Sequence, residues 1–194
     1  MEKILLASAS PRRRELLERI GYVLEICPSD VDETPFPDED PVDFAERMAA
    51  AKAAEYSGQA KKDLLVAADT VVHLEGEILG KPKTQTDAVR MLERLSGRTH
   101  TVTTGVCVGR RLRKIFSVST QVCFRHLKAE EIQSYVATGE PMDKAGAYGI
   151  QGQAAGFVLT VTGSYTNVVG LPLAEVVRAL SANKCPPPFC TDDA

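Results

Sequence analysis

Apolar residues open the chain as a compact block. Ile4, Leu5, Leu6 and Ala7 follow Lys3 without helical spacing, so Lys3–Ala7 predicts a short buried strand. Ser10 and Pro11 then mark a helix start, with serine as N-cap and proline at the first helical position. Leu16, Leu17 and Ile20 share one helical face, and Gly21 is placed to end the helix. Tyr22–Cys27 reads as a second strand. Ser29–Asp40, acidic and proline-containing, reads as a loop, and Pro41–Tyr56 as a helix with Phe44 and Met48 at i, i+4. Leu64–Val72 is almost continuously apolar and reads as a strand. Gly76 and Gly80 punctuate a hairpin-like excursion that ends at Lys81-Pro82-Lys83.

Thr86–Leu95 predicts a helix with Ala88, Met91, Leu92 and Leu95 inward, closed by Gly97. Thr101–Val108 and Lys114–Arg125 predict two strands joined by a basic turn around Gly109-Arg110-Arg111. Ala129–Ala137 is expected as a helix ending at Gly139, Gly146–Gly156 as a glycine-rich loop, Phe157–Val161 as a strand and Pro172–Leu180 as the last long helix. Strands and helices alternate first and antiparallel strands follow. The fold class expected is therefore α/β, a mixed twisted sheet with flanking helices. Residues 183–194, proline-rich and acidic at the end, are expected to form a loose C-terminal tail.

Composition narrows the function. The chain has 194 residues and a formal net charge of −3, so no global basic field attracts nucleic acid, and any polyanion must be gripped by a local cluster. No apolar run approaches the roughly 18 residues of a membrane span, and the N-terminal apolar stretch is too short for a secretory signal. Cys27, Cys107, Cys123, Cys185 and Cys190 are odd in number and lack zinc-site spacing. A cytoplasmic location, with no nucleic acid and no membrane among the partners, is the expectation.

The chemistry-bearing residues fall into separated constellations. A strand running through Ser8-Ala9-Ser10-Pro11 into Arg12-Arg13-Arg14 puts unpaired N–H groups, two hydroxyls and forked guanidiniums at a helix N-terminus, which suits phosphate. A capped surface helix with solvated arginines is the plainer reading. Asp69 stands inside Leu64–Val72, where a carboxylate is costly without partners. It is either satisfied structurally, or a metal ligand or general base at the strand's carboxyl end. Lys52 lies on the inward stripe of its alanine-rich helix, either snorkelling or reaching into a cleft. Gly80-Lys81-Pro82-Lys83 holds Lys81 in a fixed loop but lacks the spacing of a P-loop. Gly146–Gly152 does not fit a dinucleotide fingerprint, and spacing alone makes it structural, although Gln151 could read a base edge. His73, His100 and His126 are scattered and receive no role.

Taken together these segments resemble the Maf proteins, house-cleaning nucleoside triphosphate pyrophosphatases related in fold to inosine triphosphate pyrophosphatases. The resemblance runs from Ile4 to Leu180. It rests on Leu6–Arg13, Val31-Asp32-Glu33, Lys52, Ala68–Val72, Gly80-Lys81-Pro82, Ser96–His100, Asp143–Gly152, Gly163-Ser164-Tyr165 and Val169–Pro172, in the family's order. It implies a single domain over residues 1–182, with two lobes around a cleft. It also implies cleavage between the α- and β-phosphates with a magnesium or manganese ion, and a homodimer. By the same resemblance Asp69 and Glu33 are the acidic groups that hold the metal, with Asp69 the proton acceptor. Lys52 and Lys81 hold the triphosphate, and Ser8, Ser10 and Arg13 bind substrate. The combination Arg12, Thr70 and Gln151 resembles the subgroup acting on dTTP, UTP and modified pyrimidine nucleotides, rather than the one preferring 7-methyl-GTP. The alternative is a nucleotide-binding regulator of cell division or septum formation, with hydrolysis secondary.

Overall fold

The structure, a computed structural model, describes residues 2–56, 58 and 63–189. Its centre is a mixed sheet. Strands β1 (Lys3–Ala7), β2 (Val23–Ile26), β3 (Leu64–Leu74), β5 (Thr99–Gly109), β6 (Arg113–Phe124) and β7 (Val158–Thr162) lie in the order β2-β1-β3-β5-β6-β7. A short β4 (Glu77–Leu79) folds back on the end of β3. β1 pairs in parallel with both β2 and β3, whereas the ladders from β3 through β7 are antiparallel.

The continuous apolar blocks belong to strands covered on both faces. Ile4 and Leu6 of β1, with Leu64, Val66 and Ala68 of β3, join the main core beside Leu16 and Leu17 of helix α1 (Pro11–Arg19). Leu5, Ala7, Leu65 and Ala67 point the other way and pack with Ala49 and Ala53 of helix α2 (Pro41–Ala54). This period-2 division fixes the register, because a slip of one residue would exchange the two helices' contacts. Helices α3 (Gln85–Leu95), α4 (Ala129–Ala137) and α6 (Leu173–Ala182) add Leu92, Ile132 and Val176 to the main core.

Several boundaries differ from expectation for local reasons. α3 starts one residue earlier than Thr86 because Thr84 and Asp87 form a reciprocal capping box. β3 runs on to Leu74 because its far end pairs with β4 and β5. Within the glycine-rich loop the chain makes short 3-10 turns, and Phe157 ends one of them rather than starting β7. Helix α5 (Tyr165–Val169) has only five residues, too few to show a periodicity in sequence.

Residues 190–194 of the expected tail, Cys190 among them, lie outside the described residues. Before them Cys185 is buried and its carbonyl accepts the Tyr22 hydroxyl at 3.0 Å. Pro188 sits so close to Gly21 that a Cβ there would meet it at 2.7 Å. Among the described residues no helix is long and apolar enough to cross a membrane.

Candidate active site

The site exists because two neighbouring strands have unequal lengths. β1 stops at Ala7, opposite Ala67, while β3 continues to Leu74. Between that point and Val72, where β4 takes up the pairing, this edge of β3 is uncovered, and the N-terminus of α1 and the α2 face flank the gap. A cleft of about 1090 Å³ opens there, room enough for a nucleotide. Asp69 therefore sits in the middle of β3 and not at its carboxyl end, which corrects the expectation. The strand end that opens the site is that of β1. Ser8, Ser10, Arg12, Arg13, Glu33, Lys52, Asp69, Thr70, Lys81 and Gln151, all singled out in sequence, line this one cleft.

Asp69 and Thr70 are consecutive and so face opposite sides of the sheet. Asp69 turns toward α2, where Lys52 Nζ lies 2.6 Å from its Oδ1 and 2.7 Å from Glu33 Oε1. Lys81 Nζ reaches Glu33 Oε2 at 2.9 Å. Two carboxylates and two ammoniums thus alternate along the floor. Burial pushes the Glu33 carboxyl up, but hydrogen bonds from Lys52 and Lys81 outweigh it and hold the pKa at about 2. Lys52 is buried, as is Asp69, so the buried part of the cluster is charge-matched.

On the other side Thr70 meets Arg13. This guanidinium is buried and each of its nitrogens donates once: Nε to Gly170 O at 2.8 Å, Nη1 to Ser8 Oγ at 3.0 Å and Nη2 to Thr70 Oγ1 at 3.0 Å. Its direct partners are all neutral. Burial lowers its pKa from the usual arginine value, and the charges of Asp69 and Glu33 counter that. Arg13 is therefore a fixed positive charge in the cleft wall. Thr70 is engaged as well, since its hydroxyl also contacts Thr104 Oγ1 at 2.9 Å. Ser8 Oγ accepts from Arg13 and, at 3.2 Å, from the Ser10 N–H. Both acceptor positions are used, so what Ser8 has left to offer is its proton, suited to an anion. Ser10 Oγ caps α1 by accepting the Arg13 N–H. Arg12, half-buried, makes no side-chain hydrogen bond or ion pair among the described residues and lines the cleft.

Three supporting residues were missed in sequence. Arg47 of α2 holds the irregular segment that carries Glu33. It forks onto Glu39 at 2.6 and 2.7 Å, donates to Thr34 O at 3.2 Å and lies 3.9 Å above the Phe36 ring. Gly105 is the β5 partner of Asp69. A Cβ there would stand 2.2 Å from Ala45 O, so the bare glycine lets α2 lie close on the sheet and brings Lys52 to Asp69. A glycine inside the Thr101–Val108 strand pattern was the available signal. Gly170 ends α5 and supplies the carbonyl for Arg13, but α5 itself left no periodic trace.

A divalent cation fits the donor set. Among the described residues no three His, Cys, Asp or Glu side chains gather into a dedicated cage. Glu33 and Asp69 nevertheless both reach the Lys52 ammonium from the cleft, and Asp69 Oδ2 has no hydrogen-bond donor among the described residues. A magnesium-like ion held by one or two carboxylates and completed by substrate phosphates asks for no more.

Comparison with known proteins places the chain in a family. Residues 3–183 match the family described as Maf-like protein. A protein of Geobacter sp. (strain M21) named dTTP/UTP pyrophosphatase is 54% identical over 180 residues, covering 91% of this chain and 93% of that one. One of the same name from Geobacter sulfurreducens is also 54% identical, over 185 residues, covering 93% and 97%. Among solved structures, the Staphylococcus aureus Ham1 protein gives a TM-score of 0.47 at 17% identity, over 63% of this chain and 72% of that one. The match to nearly the whole chain, on top of a cleft that collects most motifs of the earlier resemblance, with Ser96–His100 and Gly163-Ser164-Tyr165 lying outside it, establishes that this chain belongs to the Maf family.

Proposed function

We propose that the chain is a nucleoside triphosphate pyrophosphatase that hydrolyses dTTP and UTP, and modified pyrimidine triphosphates, to the monophosphate and pyrophosphate. The observation that carries the reading is the alternating cluster Lys81–Glu33–Lys52–Asp69 beside the α1 N-terminus, in one cleft of nucleotide size. The names borne by relatives at about half identity support it.

Triphosphate brings several negative charges, and the site meets them with fixed positive ones. The α1 N-terminus and the buried Arg13 charge supply a background potential, and Arg12 and the Ser8 hydroxyl donate to phosphate oxygens. Lys52 and Lys81 exchange carboxylate partners for phosphate oxygens as substrate enters. Glu33 and Asp69 would hold a divalent cation, which when bound neutralises phosphate charge and polarises the phosphoryl group. Asp69 orients a water molecule and accepts its proton. The water oxygen bonds to the α-phosphorus, the bond from that phosphorus to the α,β-bridging oxygen breaks, and pyrophosphate leaves with that oxygen. Gln151 reads the base edge with an amide that can both donate and accept. Arg12 stands between base and phosphate, and Thr70 acts through Arg13.

The test is Asp69→Asn, which keeps the shape and removes the charge. Turnover should fall by about 10²–10⁴, while calorimetry still registers nucleotide binding and the protein melts as a folded domain. Near-normal turnover would remove Asp69 from the mechanism. A nucleotide-binding regulator would release no pyrophosphate in the wild type.

A further inference from the structure

The loop that carries Gln151 is short, glycine-rich and exposed, yet its two ends are tied to one side chain. The Gly149 N–H donates to the Tyr135 hydroxyl at 3.4 Å, and that hydroxyl donates to Glu140 Oε1 at 3.1 Å. From the other end the Gln153 N–H donates to Glu140 Oε2 at 3.2 Å. Both carboxylate oxygens of Glu140 are thus spent on one loop, and between the tethers Gly152 N–H closes a turn onto Gly149 O at 3.0 Å. The Gln151 side chain at the apex makes no hydrogen bond among the described residues, so its amide is available to a ligand.

Glu140 is itself held. Its N–H donates to Thr138 Oγ1 at 3.1 Å and its carbonyl accepts from Lys144 Nζ at 2.6 Å. Tyr135 is buried against Phe157, ring centroids 5.2 Å apart, which fixes the hydroxyl between its two partners. The glycines record the same closeness. A Cβ on Gly152 would stand 2.0 Å from Glu140 Oε1, and one on Gly149 2.8 Å from Lys144 Cε. The spacing of these glycines thus answers to the carboxylate and lysine behind them rather than to a phosphate.

We propose that Glu140, with Tyr135, is a positioning residue for base discrimination: it clamps both ends of the Gly149–Gln153 loop and so fixes where Gln151 meets the base. The inference rests on the reading of Gln151 as the base-facing residue. The hydrogen bonds that join Lys81, Glu33, Lys52 and Asp69 involve neither Glu140 nor Tyr135, so releasing the clamp disturbs recognition and leaves the chemical step alone.

Glu140→Ala, Glu140→Gln and Tyr135→Phe would be compared with wild type by kcat and KM for UTP, CTP and GTP, with a thermal melt of each. Preference for UTP over CTP should fall about tenfold in Glu140→Ala, the scale of losing a hydrogen bond to a charged group. The loss should appear in KM, with kcat for UTP nearly unchanged. Tyr135→Phe frees the Gly149 end and should move in the same direction, and Glu140→Gln, which keeps one acceptor, should fall between. Unchanged preference in a folded Glu140→Ala overturns the proposal. Lost preference in Glu140→Gln beside an unchanged Tyr135→Phe also overturns it, because Glu140 would then touch the base itself. If the wild type prefers another triphosphate, the pyrimidine reading fails by itself, and the clamp is judged on the preferred substrate.

Discussion

At the scale of single residues the site is a problem of pairing charges before substrate arrives. Lys52 is buried between two carboxylates, and Lys81 closes on the outer one. Glu33 is held at about 2 by those two lysines against the upward push of burial. Lys52→Met removes one hydrogen-bonded ammonium and keeps the burial, so the Glu33 pKa should rise toward the usual 4.5 or above. The sign follows from which form the lysine stabilises, namely the ionised one. Carbon-13 NMR titration of the Glu33 carboxyl reads this without any turnover, and a value still near 2 would mean Lys52 is not what holds it. Thr70 and Arg13 show a different use of polar groups. They bond to each other, to Ser8 and to Gly170 O, which fixes both of them in the cleft wall.

At the scale of elements, α2 decides most of the geometry. It carries Lys52 to Asp69 and, through Arg47, holds the segment bearing Glu33. It can do so because Gly105 leaves no side chain beneath Ala45. Gly105→Ala would press a methyl group against backbone that cannot yield, so stability should drop by about 1–3 kcal/mol, the usual cost of overpacking. Turnover should drop with it. Gly156→Ala, which meets nothing within 4 Å, is the control and should be nearly neutral. Denaturant unfolding of both separates them, and equal stabilities would show that α2 does not depend on the close approach. These contacts also mark where sequence reading stops. β1, α1 and β3 were legible because apolar blocks and the Ser10-Pro11 start are local signals, and Asp69 and Lys52 stood out as charges among apolar neighbours. The roles of Arg47, Gly170 and Glu140 were not, because each matters through a partner that only folding brings near. Thr70 was legible as a position but not as a saturated hydroxyl, and α5 is too short to leave a pattern.

At the scale of the whole molecule, a net charge of −3 coexists with a cleft prepared for a polyanion, so the attraction is built locally. The half of the molecule that bears Gln151 rests on an aromatic cluster in which His100 Nε2 lies 2.8 Å from the Tyr148 hydroxyl, with Phe124 edge-on. Burial lowers the His100 pKa to about 4, with the charge of His73 adding to it. The unfolded chain takes this proton near 6.5 and the folded one near 4, so the fold loses stability as pH drops through 6.5 and the loss levels off below about 4. The full effect is about 3 kcal/mol at 1.36 kcal/mol per unit. His100→Asn should flatten the melting temperature across that window relative to wild type, and parallel curves would contradict the assignment. For the account as a whole the most direct measurement is product analysis. UTP, dTTP, CTP, GTP and 7-methyl-GTP are each incubated with the enzyme and magnesium or manganese, and the products are separated by chromatography. Monophosphate and pyrophosphate should appear in equal amounts, fastest from UTP and dTTP. Diphosphate with inorganic phosphate, or preference for 7-methyl-GTP, would contradict the proposed function.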